Sequence, residues 1–397
     1  MGMSWGADFQ TGLRAYDSLD YATALREWKS LAKHGDAAAQ YNLGQMYRKG
    51  QGTSQNDETA VKWYRLSAEQ GYAVAQSNLG WMYENEKGVP QNDKTAVKWY
   101  TFAAIQGVAN AQHNLGWMYD SGQGVPQNYK TAVKWYTLAA EQGHVLAQYN
   151  LGLMYRRGQG VPQDYKSGAK WYTLAAEQSN ILAQSKLGTM YLRGQGVSQN
   201  YKIAVKWYTL AAKQGNTNAQ YNLGVMYQNG HGVPQDANTA IKWHTLAAKQ
   251  GFANARYNLG WMYDNGRGVL QDTKTAVKWY RLAAKQGNAA AQNNLGTMHR
   301  RGRGVPQDYK TAVKWYRLAA KQEYANAQIN LGNAYGRGEG VIQDIVYAHM
   351  WLNTAASSGD KGAIKTRDII AKRMKPSQIE AAQNLSRACI SKKYKGC

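Results

Sequence analysis

The chain has 397 residues and a formal charge of +23, from 48 Lys and Arg against 25 Asp and Glu. It contains no run of about 18 apolar residues, which excludes a membrane-spanning helix, and its 14 Trp and 29 Tyr against only 3 Phe give it aromatic bulk with polar tips that suit a shallow interior. Two or three domains would be ordinary for this length, but a strict repeat replaces that expectation. Leu-Gly pairs end at Gly44, Gly80, Gly116, Gly152, Gly188, Gly224, Gly260, Gly296 and Gly332, always 36 residues apart, and Trp63 to Trp351 keep the same step. Such a chain grows by adding units, so one elongated solenoid is expected. The charge is read in the same light. In a single-copy protein it would point to nucleic acid or an acidic surface; here a small positive excess per unit, copied along the chain, accounts for it.

Residues 1–7 lack the basic segment and apolar core of a working signal peptide. Ser4-Trp5-Gly6 still places small residues three and one before a cut ahead of Ala7, so the segment reads as a signal-peptide remnant or as cloning residues. Residues 8–36 are expected to cap the array, with 12–35 a lone second helix carrying Trp28 in the column of Tyr64 and Glu27 in that of Trp63.

Nine repeats follow over 37–360, and residues 109–143 represent them. Ala111, Leu115, Met118 and Tyr119 recur at helical spacing, predicting a first helix. Gly122 and Gly124 stop it, Val125 and Pro126 extend the link, and Asn128 stands at the N-cap of a second helix that carries Ala132, Val133, Trp135, Tyr136, Leu138, Ala139 and Ala140 and ends at Gly143. Gly116 inside the first helix should cost about 1 kcal/mol relative to Ala, so a neighbouring helix is expected to cross there too closely for a methyl group.

The Ala-x-x-x-Leu-Gly-x-x-Tyr helix, the Gly-x-Gly-Val-Pro-Gln-Asp link and the Ala-x-x-Trp-Tyr-x-x-Ala-Ala helix together resemble the Sel-1-like repeat family, relatives of the tetratricopeptide repeats, over roughly residues 8 to 390. The resemblance implies an all-α fold, a right-handed α-solenoid superhelix of two-helix units, serving as a scaffold or adaptor for other proteins and in bacteria often exported. Gly12-Leu13-Arg14-Ala15-Tyr16 resembles the mature start of exported members.

Local departures are few: Glu86 replaces a loop glycine, Ser198, Leu270 and Ile342 the loop proline, and Glu323 an end glycine. Residues 361–397 form a C-terminal cap and tail, in which Ala363 keeps the alanine column, Asp368 replaces the Leu-Gly glycine, and Pro376 opens a last helix over Ser377 to Ser386.

Motifs that carry chemistry are weak. Ser167-Gly168-Ala169-Lys170 matches the Ser-x-x-Lys of penicillin-recognising enzymes, which makes a β-lactam-interacting enzyme the third reading. It is rejected because the tetrapeptide is the local copy of Thr131-Ala132-Val133-Lys134 and has no Ser-Asp-Asn or Lys-Thr-Gly partner. The Gly-x-Gly pairs lack the strand and the Gly-Lys-Ser/Thr ending of a phosphate loop. The seven His, from His34 to His349, show no metal-ligand spacing, so no metal or cofactor is expected. Arg300-Arg301-Gly302-Arg303-Gly304 is an ordinary loop, and specific nucleic-acid binding is not expected. Lysine pairs such as Lys94 and Lys98 or Lys130 and Lys134 put like charges on one face, a solvated stripe or, alternatively, a surface for polyanions, headgroups or acidic partners.

Two first-helix columns vary most between units. One holds Tyr41, His113, Tyr149, Tyr221 and Tyr257; four residues on, the other holds Trp81, Trp117 and Trp261. In tetratricopeptide-like stacks the first helices line the concave groove, so these eight residues are the expected binding site for a protein or peptide, on a monomeric, non-enzymatic scaffold. Cys389 and Cys397 would lie about 12 Å apart on a continuous helix. A disulfide between them requires the helix to end near Lys392 and would add about 2.5 kcal/mol of stability. That pair favours an exported protein, periplasmic or secreted; two cytoplasmic thiols are the alternative.

Overall fold

The computed structural model describes residues 8–392 and residue 394. These contain 22 helices and no strand, in two compact units with the boundary after Asn200. The first unit holds α1 (Phe9–Asp17), α2 (Tyr21–Lys33), α3 (Ala37–Lys49), α4 (Asp57–Glu69), α5 (Ala73–Glu84), α6 (Asp93–Ile105), α7 (Ala109–Ser121), α8 (Tyr129–Glu141), α9 (Val145–Arg157), α10 (Tyr165–Glu177) and α11 (Ile181–Arg193). The second holds α12 (Tyr201–Lys213), α13 (Thr217–Asn229), α14 (Ala237–Lys249), α15 (Ala253–Asn265), α16 (Thr273–Lys285), α17 (Ala289–Arg301), α18 (Tyr309–Ala320), α19 (Ala325–Arg337), α20 (Ile345–Ala356), α21 (Lys361–Ala371) and α22 (Pro376–Ser391). By register, odd-numbered helices from α3 to α19 open each repeat and the following even-numbered helix closes it. No described helix is long and apolar enough to cross a membrane.

Each repeat is assembled as its residues dictate. Ala111, Leu115 and Met118 of α7 are fully buried. Gly122 caps the helix at φ +77°, and Asn128 accepts the Thr131 N–H at 3.0 Å to start α8. The second loop glycine, Gly124, is needed for space as well as for its positive φ: a Cβ there would lie 2.5 Å from the Asp93 carbonyl oxygen, so the loop presses directly on the start of the preceding repeat's second helix. Glu86 and Glu323 adopt the same left-handed backbone, at φ +55° and +63°, and Ser179 joins them at +66°.

The mid-helix glycines are explained by a side chain rather than by helix backbone. A Cβ on Gly116 would stand 2.8 Å from the Tyr136 ring, and one on Gly44 or Gly260 would stand 2.6 Å from Tyr64 or Tyr280. The crossing element is the repeat's own second helix, whose tyrosine lies across the first helix fully buried. His244 takes that place over Gly224, and Leu352 over Gly332.

Successive repeats are also tied by buried amides. In α3, Gln40 Nε2 donates to the Ala32 carbonyl at 3.1 Å while its Oε1 accepts from Gln70 Nε2 at 2.7 Å. Gln112 does the same between Ala104 and Gln142. One side chain therefore joins three helices with its polar atoms satisfied, as burial requires. Arg256 occupies this column in α15 and reaches the Ala248 carbonyl through Nε at 3.0 Å.

The ends differ from the sequence expectation. Residues 12–35 are not a lone helix: α1 and α2 form a shortened hairpin, in which a Cβ on Gly12 would lie 2.5 Å from Trp28 Nε1, the same contact as in a full repeat. At the other end α22 starts at Pro376 as expected but runs on to Ser391, packed on α20 through a 2.9 Å contact between the Ser386 and Thr354 hydroxyls. Lys392 caps it, and Tyr394, at φ +61°, donates its N–H to the Cys389 carbonyl. Cys389 is buried; Cys397, like residues 1–7, lies outside the described residues.

Candidate functional site

The first helices of unit 1 present three positions spaced i, i+4 and i+7 on one face. They read Tyr41, Gln45, Arg48 on α3; Ser77, Trp81, Glu84 on α5; His113, Trp117, Asp120 on α7; and Tyr149, Leu153, Arg156 on α9. All are half-buried except Ser77, which is buried. The expected aromatic residues are therefore present, but as wedges with one exposed edge. Tyr41 packs at 6.0 Å from Tyr64 and 5.3 Å from Tyr72. Trp81 and Trp117 each touch the cores of their own and a neighbouring repeat, and the Arg48 guanidinium lies 5.4 Å from the Trp81 ring. His113 stacks on His144 at 4.6 Å, and Tyr149 lies 5.7 Å from Tyr172.

In unit 2, Tyr221 packs on His244 and Phe252, and Tyr257 on Tyr280. Trp261 lines a cleft of about 530 Å³ with Gln228, Gln235 and Arg267. The eight expected residues fall five to unit 1 and three to unit 2.

The third position is the one that sequence reasoning missed. The glycine gap lets the second-helix tyrosine cross the first helix, and its hydroxyl emerges one turn further on at that position. Tyr100 donates to Glu84 Oε2, and Tyr136 to Asp120 Oδ2 at 3.5 Å. His244 Nε2 stands 3.3 Å from Gln228 Oε1 in the equivalent place. Burial raises the Glu84 and Asp120 carboxyls above their ordinary values, with the tyrosine hydroxyls pulling the other way. The signal was available, since Arg48, Glu84, Asp120, Arg156, Leu192 and Gln228 vary in charge at a fixed step of 36.

Charge on this face is sorted from α5 to α11, after Arg48 of α3, whose guanidinium lies against Trp81. Glu84 and Asp120 belong to the second and third repeats; Arg156, Arg157 and Lys186 belong to the fourth and fifth. Lys186 is half-buried, and its ammonium is pushed down by burial and then by Arg156 and Arg157. None of these five groups takes part in the ion pairs found among the described residues. In unit 2, by contrast, Asp264 pairs with Arg303 at 2.8 Å and Arg300 with Glu339 at 3.8 Å. His113 is pushed down by burial, and His144 to about 4 by burial and by His113.

Catalytic geometry does not gather at the Ser-x-x-Lys match. Ser167 is engaged by the N-cap Asp164, and the Lys170 ammonium lies 5.5 Å from the Trp171 ring. No three His, Cys, Asp or Glu side chains among the described residues converge as metal ligands.

Helical hairpins stacked through repeated framework columns, with a first-helix face that changes from unit to unit, define a tandem-repeat scaffold. The chain belongs to the Sel1 repeat family: nine consecutive Sel1 repeats match without a gap, from residues 37–72 to 325–360. Proteins of this family are generally protein-interaction scaffolds and typically non-enzymatic. Among solved structures the chain is similar to c5321, a protective antigen present in uropathogenic Escherichia coli strains that displays an SLR fold. The identity is 33%, over 93% of this chain and 96% of that one, with a TM-score of 0.64. It is also similar to a Sel1 repeat protein from Oxalobacter formigenes, at 36% identity over 78% of this chain and 89% of that one, with a TM-score of 0.59. No curated protein matches.

Proposed function

We propose that the chain is a non-enzymatic scaffold that holds a protein or peptide segment across the first-helix face of unit 1. The segment would place basic side chains against Glu84 and Asp120 and acidic ones against Arg156, Arg157 and Lys186. One observation carries this reading: from α5 to α11 the half-buried charges Glu84, Asp120, Arg156 and Lys186, with the exposed Arg157 beside them, stand outside the described ion pairs and are segregated by sign on a face whose framework neighbours are otherwise copied. Half-buried charge with no opposite charge beside it is costly to keep in a fold, even where a tyrosine hydroxyl bonds it as at Glu84 and Asp120, and gives both steering and register to a complementary ligand. Trp81 and Trp117 supply apolar edges between the charged positions.

Two twelve-residue peptides of one composition test it, one with lysines preceding aspartates and one with the order reversed. One order should bind at least about tenfold more tightly, a difference of about 1.4 kcal/mol. The quadruple variant Glu84→Lys, Asp120→Lys, Arg156→Glu, Arg157→Glu should prefer the other. Equal binding of both orders, or an unchanged preference in the variant, sinks the proposal.

We further infer export to the periplasm or beyond. Support comes from the end of α22 at Ser391, where the left-handed Tyr394 donates its N–H to the carbonyl of the buried Cys389. Alkylation of the protein unfolded without reductant, followed by mass spectrometry, should leave Cys389 and Cys397 unlabelled. Two labelled thiols in freshly lysed cells would reverse this inference.

A further inference from the structure

The positive charge is not spread evenly over the copies. Residues 1–200 carry 19 Lys and Arg against 15 Asp and Glu, whereas residues 201–397 carry 29 against 10, so unit 2 holds +19 of the +23. Multiplication of one basic repeat cannot produce that division.

Much of the excess in unit 2 lies on one stripe of its second helices. On α16, Lys274, Lys278, Arg281, Leu282 and Lys285 are all exposed and fall at i, i+4, i+7, i+8 and i+11, a single helix face with no carboxylate on it. The last position of this stripe divides the full repeats of the two units. Between the terminal helices, which carry Lys33 on α2 and Ser357 after α20, it is Glu69, Glu141 and Glu177 on α4, α8 and α10, with Ile105 on α6; it is Lys213, Lys249, Lys285 and Lys321 at the ends of α12, α14, α16 and α18. None of these lysines forms an ion pair among the described residues. Unit 2 also exposes two aliphatic side chains where other repeats place Pro or Ser in the loop: Leu270 at 92% and Ile342 at 90%. Ile342 shares a surface cleft of about 430 Å³ with Lys310, the first cation of the α18 stripe.

The geometry points to an anionic lipid surface as the partner of this face. Lysines that interleave with exposed leucines, beside protruding Leu and Ile, combine attraction to acidic headgroups with apolar insertion at the headgroup boundary. A nucleic acid or polyphosphate would use the cations and leave the aliphatic residues idle. This face belongs to the second helices and is independent of the peptide-binding face of unit 1.

Flotation of the full chain with phosphatidylcholine vesicles, with and without 30% phosphatidylglycerol, tests the proposal. Binding should require phosphatidylglycerol and weaken steeply between 50 and 300 mM salt. At about fivefold per basic residue, neutralising Lys213, Lys249, Lys285 and Lys321 to Gln should lower partitioning by on the order of 10²- to 10³-fold. Leu270→Ser with Ile342→Ser should lower it several-fold further. Lys98→Gln, Lys134→Gln and Lys170→Gln in unit 1 should change it little, and helicity of every variant should match the parent. Three outcomes overturn the proposal: equal binding to neutral vesicles, equal losses from the unit 1 variant, or binding of inorganic polyphosphate with no affinity for the anionic vesicles.

Discussion

Units 1 and 2 are built from the same columns of Ala, Leu-Gly, Met, Tyr and Gln, yet they have diverged wherever those columns leave a side chain free. Unit 1 keeps a tyrosine over Gly44, Gly80, Gly116 and Gly152 and leaves its first-helix charges outside the described ion pairs; unit 2 admits His244, Arg256 and Leu352 into framework columns and neutralises Asp264 and Arg300 with local partners. Repetition therefore constrains the core and leaves the faces free to diverge in charge, most visibly on the first helices of unit 1 and on the second helices of unit 2.

The sharpest way to break the comparison is acid. His244 is fully buried, and burial pushes it to about 4. Its folded pKa lies below the unfolded value near 6.5, so the folded state binds fewer protons than the unfolded chain, and stability present above pH 6.5 is lost as pH falls toward 4. The loss amounts to about 3 kcal/mol over that window. His299 and His349 of unit 2 and His113 and His144 of unit 1 are lowered by burial as well and act in the same direction. His244→Tyr restores the residue used by unit 1 and should shrink, without abolishing, the difference between urea midpoints at pH 7 and pH 4.5. An unchanged difference would place the whole acid response in the other histidines.

A smaller effect probes the feature the units share. Gly116→Ala gains about 1 kcal/mol in helix propensity but sets a methyl 2.8 Å from the Tyr136 ring. Overpacking costs about 1–3 kcal/mol, so the net change should be destabilising by about 1 kcal/mol, with hydrogen exchange accelerated in α7 and α8 before α1 or α2. Gly336→Ala, inside α19 with no atom nearer than 3.7 Å to the added methyl, makes the same gain in propensity without the ring contact and should stabilise. Should Gly116→Ala stabilise as much as Gly336→Ala, ring contact is not the reason for the glycine ladder.

The smallest effect sharpens the electrostatic contrast. Burial raises the Glu84 pKa, so its folded state binds more protons than the unfolded chain, and its ionised form weakens the fold as pH rises through the carboxylate range. Glu84→Gln should raise the melting temperature slightly at pH 7 and not at pH 4. No gain at pH 7 would mean that the carboxylate already has a compensating cation.

Two columns of Leu-Gly and Trp were enough to read the hairpins, loop glycines and N-caps, because those positions carry local requirements that each residue states by itself. The N-terminal hairpin was hidden by loop length: Gly12 precedes Trp28 by 16 residues, whereas Gly44 precedes Tyr64 by 20, so α1 falls out of the 36-residue register. The aromatic face was legible as variation, but the wedging of Trp81 and Trp117 depends on how neighbouring repeats approach, which periodicity does not encode. The charged third position was overlooked because a varied polar residue on a helix looks solvated until a buried tyrosine hydroxyl is found against it.

The paired glutamines also make the array a gauge of its own length. Gln112 takes its carbonyl from α6 and its amide partner from α8, so removing or inserting one whole unit rejoins a donor to an equivalent acceptor and leaves no amide stranded. A one- or two-residue change inside one of these helices instead turns half of the pair away and seals an unsatisfied group inside the seam, at a cost of about 1–3 kcal/mol for each group. Changes in length therefore fall in whole repeats or in the loops, as in the shortened α1–α2 hairpin, and a chain that gains a copy inherits a seam already correct at both edges.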